Sequence, residues 1–426
     1  MASEKRCNIR SMIFRKPGWW RLSLTSQILA ALAAGALVGS RWPALGQSLQ
    51  ILATIFIRLV LVIIAPLIFS TLVTGIAGQG DLRRLRGLAL RSFGLFVGVT
   101  TVALALAFGL ANLLQPGKSI IPGANLAIDL GAPQSESFWV RLFPRSIADA
   151  MARGDVLQIV VFSILLAVAV SLVGDAGRPV LDLCRSLARV MYKFTDMVMA
   201  TAPVGVFGAA AALVSQQGLG VGAGFLRLIV AVYLGLALLL LVLYPLLAII
   251  FGIPLKRLYQ AVKEPFAVAF ATASASGALP KSMESMEAMG LPRSVVAFTL
   301  GTGLNFNPSG STVFIGVASV FILQAYQMPL AWHDQMLLFG TLFVASKGIG
   351  GVPRSSLVVI AAALPAVGVP PQVVGAGIGL LLGIDPLLDM PRTAVNTAGN
   401  CLAAALVARW QGNLPESSGD PKARTP

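Results

Sequence analysis

The chain has 426 residues, of which 56% are hydrophobic and 12% charged, with a mean hydropathy of +0.83. Soluble proteins carry about 25% charged residues, so the composition excludes a water-soluble globular enzyme, and its apolar content excludes a disordered chain. The 32 Lys and Arg against 17 Asp and Glu give a net charge of +15. The basic residues fall between apolar runs, the pattern of cytoplasmic loops rather than of a nucleic-acid surface. The expected class is an all-α polytopic membrane protein, with room for about eight to ten spans of roughly 20 residues. Long unbroken runs argue against a β-barrel.

The N-terminal segment 1–21 is basic, with Lys5, Arg6, Arg10, Arg15, Lys16 and Arg21. Apolar runs follow at about 22–38, 49–77 and 93–114, the first two separated from the third by the basic segment from Asp81 to Arg91. The positive-inside rule puts the N-terminus and that segment in the cytoplasm. Residues 118–155 are mixed and polar. Further apolar runs cover about 156–173, 180–215 and 221–253, and Lys256, Arg257 and Lys263 mark another cytoplasmic loop. The texture changes from about Phe266. Small and hydroxyl residues crowd at 271–280 and again at 346–356, each patch inside a moderately apolar stretch. Paired interruptions of this kind point to re-entrant hairpins and a transporter site, although short loops between ordinary helices would also produce them. Between the patches, the run 295–326 is broken by polar residues 305–312, including Pro308 and Gly310. The tail 411–426 reads as a disordered cytoplasmic extension.

The last run, about 373–410, carries Asp385, Asp389, Arg392, Asn396 and Asn400. Steps of four, three, four and four put them on one helix face. Charges inside a span must pair or face a cavity. The bland reading is a structural ion pair between Asp389 and Arg392. The functional one is a zwitterion site, with Arg392 taking a carboxylate through its planar fork and Asp389 taking an ammonium. The three cysteines, Cys7, Cys184 and Cys401, are far apart, and His333 is the single histidine. Neither a disulfide framework nor a zinc site is indicated, and no nucleophile–base pair suggests an enzyme. No cofactor is expected.

These residues resemble the dicarboxylate/amino acid:cation symporter family, which includes the glutamate transporters. The resemblance runs through ASGALPKSMESMEAMG (275–290), FNPSGST (306–312), SKGIGGVPRSS (346–356) and GIDPLLDMPRTAVNTAGN (383–400), with weaker matches at 58–78, 156–170 and 191–207. It implies eight transmembrane helices plus two re-entrant hairpins, at about 259–290 and 332–369, with inverted repeats and assembly as a homotrimer in the inner membrane. It also implies a division of the chain. Residues 22–255 hold helices 1–6, of which 1, 2, 4 and 5 form a scaffold while 3 and 6 join the transport part. Residues 256–410 form the core of that transport part. The only partners it implies are membrane lipids and a small acidic substrate, with no nucleic acid.

By the same resemblance, Arg392 binds a substrate side-chain carboxylate and Asp389 its amino group, with Thr393, Asn396 and Ser311 completing the pocket. Ser274, Ser276 and the second hairpin tip, Gly350, Gly351, Val352 and Pro353, hold the main carboxylate. Retention of Asp389 beside Arg392 favours glutamate or aspartate over a C4-dicarboxylate, which remains the alternative. The departures concern the coupling ion. Ser309 and Asn400 stand where sodium-coupled members have carboxylates, and Pro308, Phe96 and Val99 also depart from their sodium ligands. Sodium favours several oxygen ligands, preferably anionic, so its sites read as degenerate and a proton is the expected driver. Asn307, Ser309, Asp385 and Asn400 are the cation-coupling candidates, with Asp385 or Asp389 as the proton carrier. Arg354 replaces a usual glycine at the second tip, which leaves a non-transporting sensor as a reading of another class.

Overall fold

A computed structural model describes residues 24–78, 86–119, 143–153, 156–218, 222–328, 331–348 and 355–412. The basic N-terminus 1–21, residues 81–85 of the first basic loop, the hairpin tip 349–354 and the tail beyond 412 lie outside them. Among the described residues the regular structure is helical, with no strand.

The apolar runs become α1 (Leu24–Arg41), α2 (Gln50–Ala77) and α3 (Arg86–Leu114). Helix α3 starts inside the basic segment rather than at Phe93, because the residues from Arg86 to Ser92 contain no helix breaker except one tolerated glycine, Gly87. Helix α4 (Val156–Val173) follows its apolar run. The run expected over 180–215 is instead two helices, α5 (Arg178–Ala200) and α6 (Ala202–Gln217). Pro203 sits in the first turn of α6, where its missing N–H is harmless, but it cannot extend the hydrogen-bond ladder of α5. Helix α5 is amphipathic, and its charged residues Arg178, Arg185, Lys193 and Asp196 are exposed.

Helix α7 (Gly222–Leu238) passes through a π-helical turn, Leu239–Leu243, into the helix Tyr244–Ile250. Pro245 lacks an N–H, and a widened turn absorbs the lost bond. Helices α8 (Leu255–Thr272) and α9 (Ala275–Ala288) then fold back on each other. Their turn is made by Ala273 in the left-handed region (φ +49°), and Lys281 on one arm reaches Glu264 on the other at 3.0 Å. Helices α10 (Arg293–Phe306) and α11 (Ser309–Ala325) are separated only at Asn307-Pro308, a narrower break than residues 305–312. Helices α12 (Trp332–Ala345) and α13 (Ser355–Ala363) pack together as the arms of a second hairpin. The last run is not one straight helix. Helix α14 (Pro371–Leu382) and helix α15 (Asp385–Trp410) meet at Gly383 and Ile384, with an 85° turn between Val373–Leu382 and Leu387–Trp410.

Among the described residues, four helical stretches are long and apolar enough to cross a membrane: Gly87–Lys118, Gln158–Val198, Gly224–Ile250 and Arg293–Ala325. Counted as one broken span, the bent α14–α15 pair would make a fifth. Ala65–Ala77 and Ala202–Ser215 are shorter apolar helices.

The helices pack in two groups. Helices α1, α2, α4, α5 and α6 form one. Gly35 and Gly39 on α1 lie directly on the backbone of α6, where a Cβ would strike the carbonyls of Phe207 and Ala211. This is the small-xxx-small device that lets membrane helices approach closely. The second group surrounds α11, whose residues are buried almost all round, as a central helix requires. Helices α3, α7 and α15 pack on it, and α8, α9 and α10 pack on α15 in turn. Gln324 of α11 ties in the end of α3, accepting from the Gly117 N–H at 3.1 Å and donating to the Ala111 carbonyl at 3.0 Å. The second hairpin and α14 touch both groups.

Candidate substrate and coupling site

The site is built where α15 crosses the break between α10 and α11. Breaking a helix leaves the last carbonyls of one half and the first amides of the other without intrahelical partners. Pro308 forces this break, and Gly310 lets α15 come close, since a Cβ there would stand 2.5 Å from the Arg392 carbonyl oxygen. Asn396 of α15 closes the gap. Its Oδ1 accepts from the Gly310 N–H at 2.7 Å and the Ser311 N–H at 3.1 Å, while its Nδ2 donates to Ser311 Oγ at 2.9 Å. Thus a side chain from another helix caps α11, in place of a local cap residue.

One turn earlier on α15, Arg392 is 1% exposed. Its Nη1 donates to Asp385 Oδ1 at 2.8 Å and its Nε to Asp389 Oδ1 at 3.0 Å, with Nη2 also 2.8 Å from Asp389 Oδ1. The guanidinium stacks over the Phe314 ring of α11, 4.3 Å from its centroid, a favourable cation–π distance. The face inferred from the residue spacing therefore exists. It carries one addition: Asp385 holds Arg392 as directly as Asp389 does. Thr393 is buried, and its carbonyl accepts from Thr397 Oγ1 at 3.1 Å.

The positions expected to reflect the coupling ion are also buried. Asn307 Nδ2 donates to Asn400 Oδ1 at 2.9 Å. Among the described residues Asn307 Oδ1 is buried with no hydrogen-bond partner, which leaves an oxygen acceptor at the break. Ser309 Oγ and the Tyr244 hydroxyl lie 2.7 Å apart, and Tyr244 also donates to the Val395 carbonyl at 3.3 Å. The hairpin serines form their own group: Ser274 caps α9 by accepting from the Gly277 N–H at 3.1 Å, and its hydroxyl lies 3.3 Å from that of Ser276. The arms of this hairpin reach α15 through the small residues Ala269, Ala278 and Ala394. Gly350, Gly351, Val352 and Pro353 lie outside the described residues.

Four buried residues carried no assignment from sequence: Tyr244 and Phe314 in the site, and Thr100 and Lys347 beside it. Lys347 follows α12 and is buried, its Nζ 2.7 Å from Thr100 Oγ1 and 3.0 Å from the Phe306 carbonyl oxygen. A charge inside an apolar hairpin is a sequence signal for function. The tyrosine and phenylalanine lie in apolar runs and give no such signal.

With this geometry in place, comparison with known proteins gives a consistent answer. The profile of the sodium:dicarboxylate symporter family matches residues 24–410. The chain belongs to that family. It is 36% identical over 393 residues to the proton/glutamate-aspartate symporter of Bacillus subtilis (strain 168), covering 90% of this chain and 94% of that protein. It is 37% identical over 397 residues to the C4-dicarboxylate transport protein of Brucella anthropi, covering 91% and 89%. Identity to the proton/sodium-glutamate symport protein of Geobacillus stearothermophilus is 34% over 413 residues, covering 94% and 97%. Members of this family are transporters, not enzymes, and sodium:dicarboxylate symporters handle small molecules across a membrane. The protein is a multi-pass membrane protein.

Proposed function

We propose that this protein is a secondary active symporter that imports glutamate or aspartate together with a proton, by alternating access. The observation that carries this reading is the buried pairing of Arg392 with Asp389 on the face of α15 that meets the broken helix. Arg392 offers a planar fork to the substrate's side-chain carboxylate, and Asp389 offers a carboxylate to its ammonium. An incoming zwitterion replaces the internal pair with two intermolecular ones, so the buried charges stay paired. Thr393, Asn396 and Ser311 line the same crossing. Ser274, Ser276 and the tip 350–353 receive the main carboxylate.

Proton rather than sodium coupling is supported by Ser309 and Asn400. Both are neutral, and each has a hydrogen-bond partner inside the protein, Tyr244 and Asn307. A sodium ion there would lack the anionic oxygens it favours. The name of the Bacillus relative, a proton/glutamate-aspartate symporter, agrees with this reading. The two helix groups support a division into a scaffold (α1, α2, α4, α5, α6) and a moving transport part built on α3, α7, α8 to α11 and α15. Eight spans, two re-entrant hairpins with inverted repeats, a homotrimer, an inner-membrane location and cytoplasmic termini complete the proposal.

The C4-dicarboxylate relatives support a second reading, proton-coupled uptake of succinate or fumarate, which has no use for Asp389. Purified protein in sealed liposomes separates these readings. We expect labelled L-glutamate or L-aspartate to accumulate under an inward proton gradient without sodium, and Asp389→Ala to abolish it. Uptake that requires a sodium gradient at equal pH would overturn proton coupling. Succinate uptake that survives Asp389→Ala would establish the dicarboxylate reading. Binding without flux under either gradient would identify a sensor.

A further inference from the structure

Lys347 has no part in the pocket described above, yet it is one of the most costly residues in the molecule to bury. An ammonium removed from water needs a partner charge or a set of oxygens to replace its hydration. No carboxylate pairs with Lys347 among the described residues. Instead its Nζ has the Thr100 hydroxyl from α3 at 2.7 Å, the Phe306 carbonyl from the end of α10 at 3.0 Å, and the face of Phe343 from α12 with its centroid at 4.9 Å. Phe306 is the last residue of α10, so its carbonyl is one that the helix break leaves unpaired. It also lies at the negative end of that helix, which favours a cation. Oxygens from two separate elements and an aromatic face are the surroundings of a bound cation, and here the cation is attached to the chain.

The charges point the same way. Among the described residues the buried charged side chains are Lys347, Asp385, Asp389 and Arg392, two of each sign. A core that crosses a low-dielectric layer is cheapest to move when its buried charge is balanced.

We propose that Lys347 is a resident cation: its ammonium fills the position between α3, the α10–α11 break and the second hairpin, and pins that hairpin to the broken helix without a free alkali ion. The proposal rests on the symporter reading, in which the sodium sites are degenerate and a proton is the driver.

The test uses the full-length protein in nanodiscs and reads amide hydrogen exchange in the hairpin arms Trp332–Ala345 and Ser355–Ala363. In the wild type we expect sodium and propylammonium to leave exchange unchanged. Lys347→Ala should raise exchange in both arms by about tenfold or more. Propylammonium, which replaces the missing side chain and its charge, should restore protection, and 1-propanol should not. Lys347→Met, which keeps most of the side-chain length without the charge, should behave like the alanine variant. Protection of the wild-type arms by sodium would overturn the proposal, and this arm needs no variant to fold. So would wild-type exchange in Lys347→Met, restoration by 1-propanol as well, or a loss that propylammonium does not recover. Failure of wild-type liposomes to take up substrate would instead count against the symporter reading, because the exchange measurement involves no substrate.

Discussion

At Arg392 two buried carboxylates share one guanidinium. Each carboxylate is held by charge as well as by hydrogen bonds, so the two are not redundant. Asp385→Asn keeps the size and one acceptor but removes the charge. Breaking a buried pair of this kind costs about 3 kcal/mol, and we expect a clear fall in melting temperature. If Asp385 carries the coupled proton, the variant also loses proton-driven accumulation while still exchanging substrate across the membrane at equilibrium. Proton-driven uptake at the wild-type rate would remove Asp385 from that role and leave Asp389 as the carboxylate candidate.

The elements differ in how openly the sequence declares them. The face of α15 was legible because five polar residues at helical spacing stand out in an apolar run, and periodicity alone puts them together. The α10–α11 break was legible because Pro308 has no N–H to continue a helix, though its width was not, since Gly310 lies inside α11. The polar Ser311 looks like loop but is helical, since Asn396 of α15 supplies the partners that a loop would find in water. The split between α5 and α6 was hidden because an apolar count does not register one proline at position 203. Lys347 was visible but could not be assigned, as its oxygens come from residues 41 and 247 positions away.

The cap on α11 tests this dependence between elements. Asn396→Ala leaves the Gly310 and Ser311 amides buried and unpaired, which costs about 1–3 kcal/mol. We expect faster hydrogen exchange in the first turn of α11, a lower melting temperature and substrate affinity weakened by about tenfold or more. Unchanged exchange in that turn would mean that Asn396 does not cap the helix in solution.

For the whole molecule, the question is whether the two helix groups slide past each other. Their contact at α14 is suited to it. A cavity of about 200 Å³ lies there, lined by apolar residues including Leu32 and Ala36 of α1, Val206 and Leu213 of α6, and Gly379. At Gly383 the contact is close, since a Cβ there would stand 2.6 Å from Leu32 Cδ1. A Leu32→Cys, Gly383→Cys pair, made after replacing Cys7, Cys184 and Cys401 with serine, can be bridged by mercuric ion. If alternating access moves one group along the other, bridging stops uptake, and excess thiol restores it. Substrate binding on one side persists throughout, because the Arg392 cluster and the α11 cap lie wholly within the second group. Full uptake with the bridge in place would show that these two surfaces stay together during transport, and the moving boundary would have to be drawn between other helices.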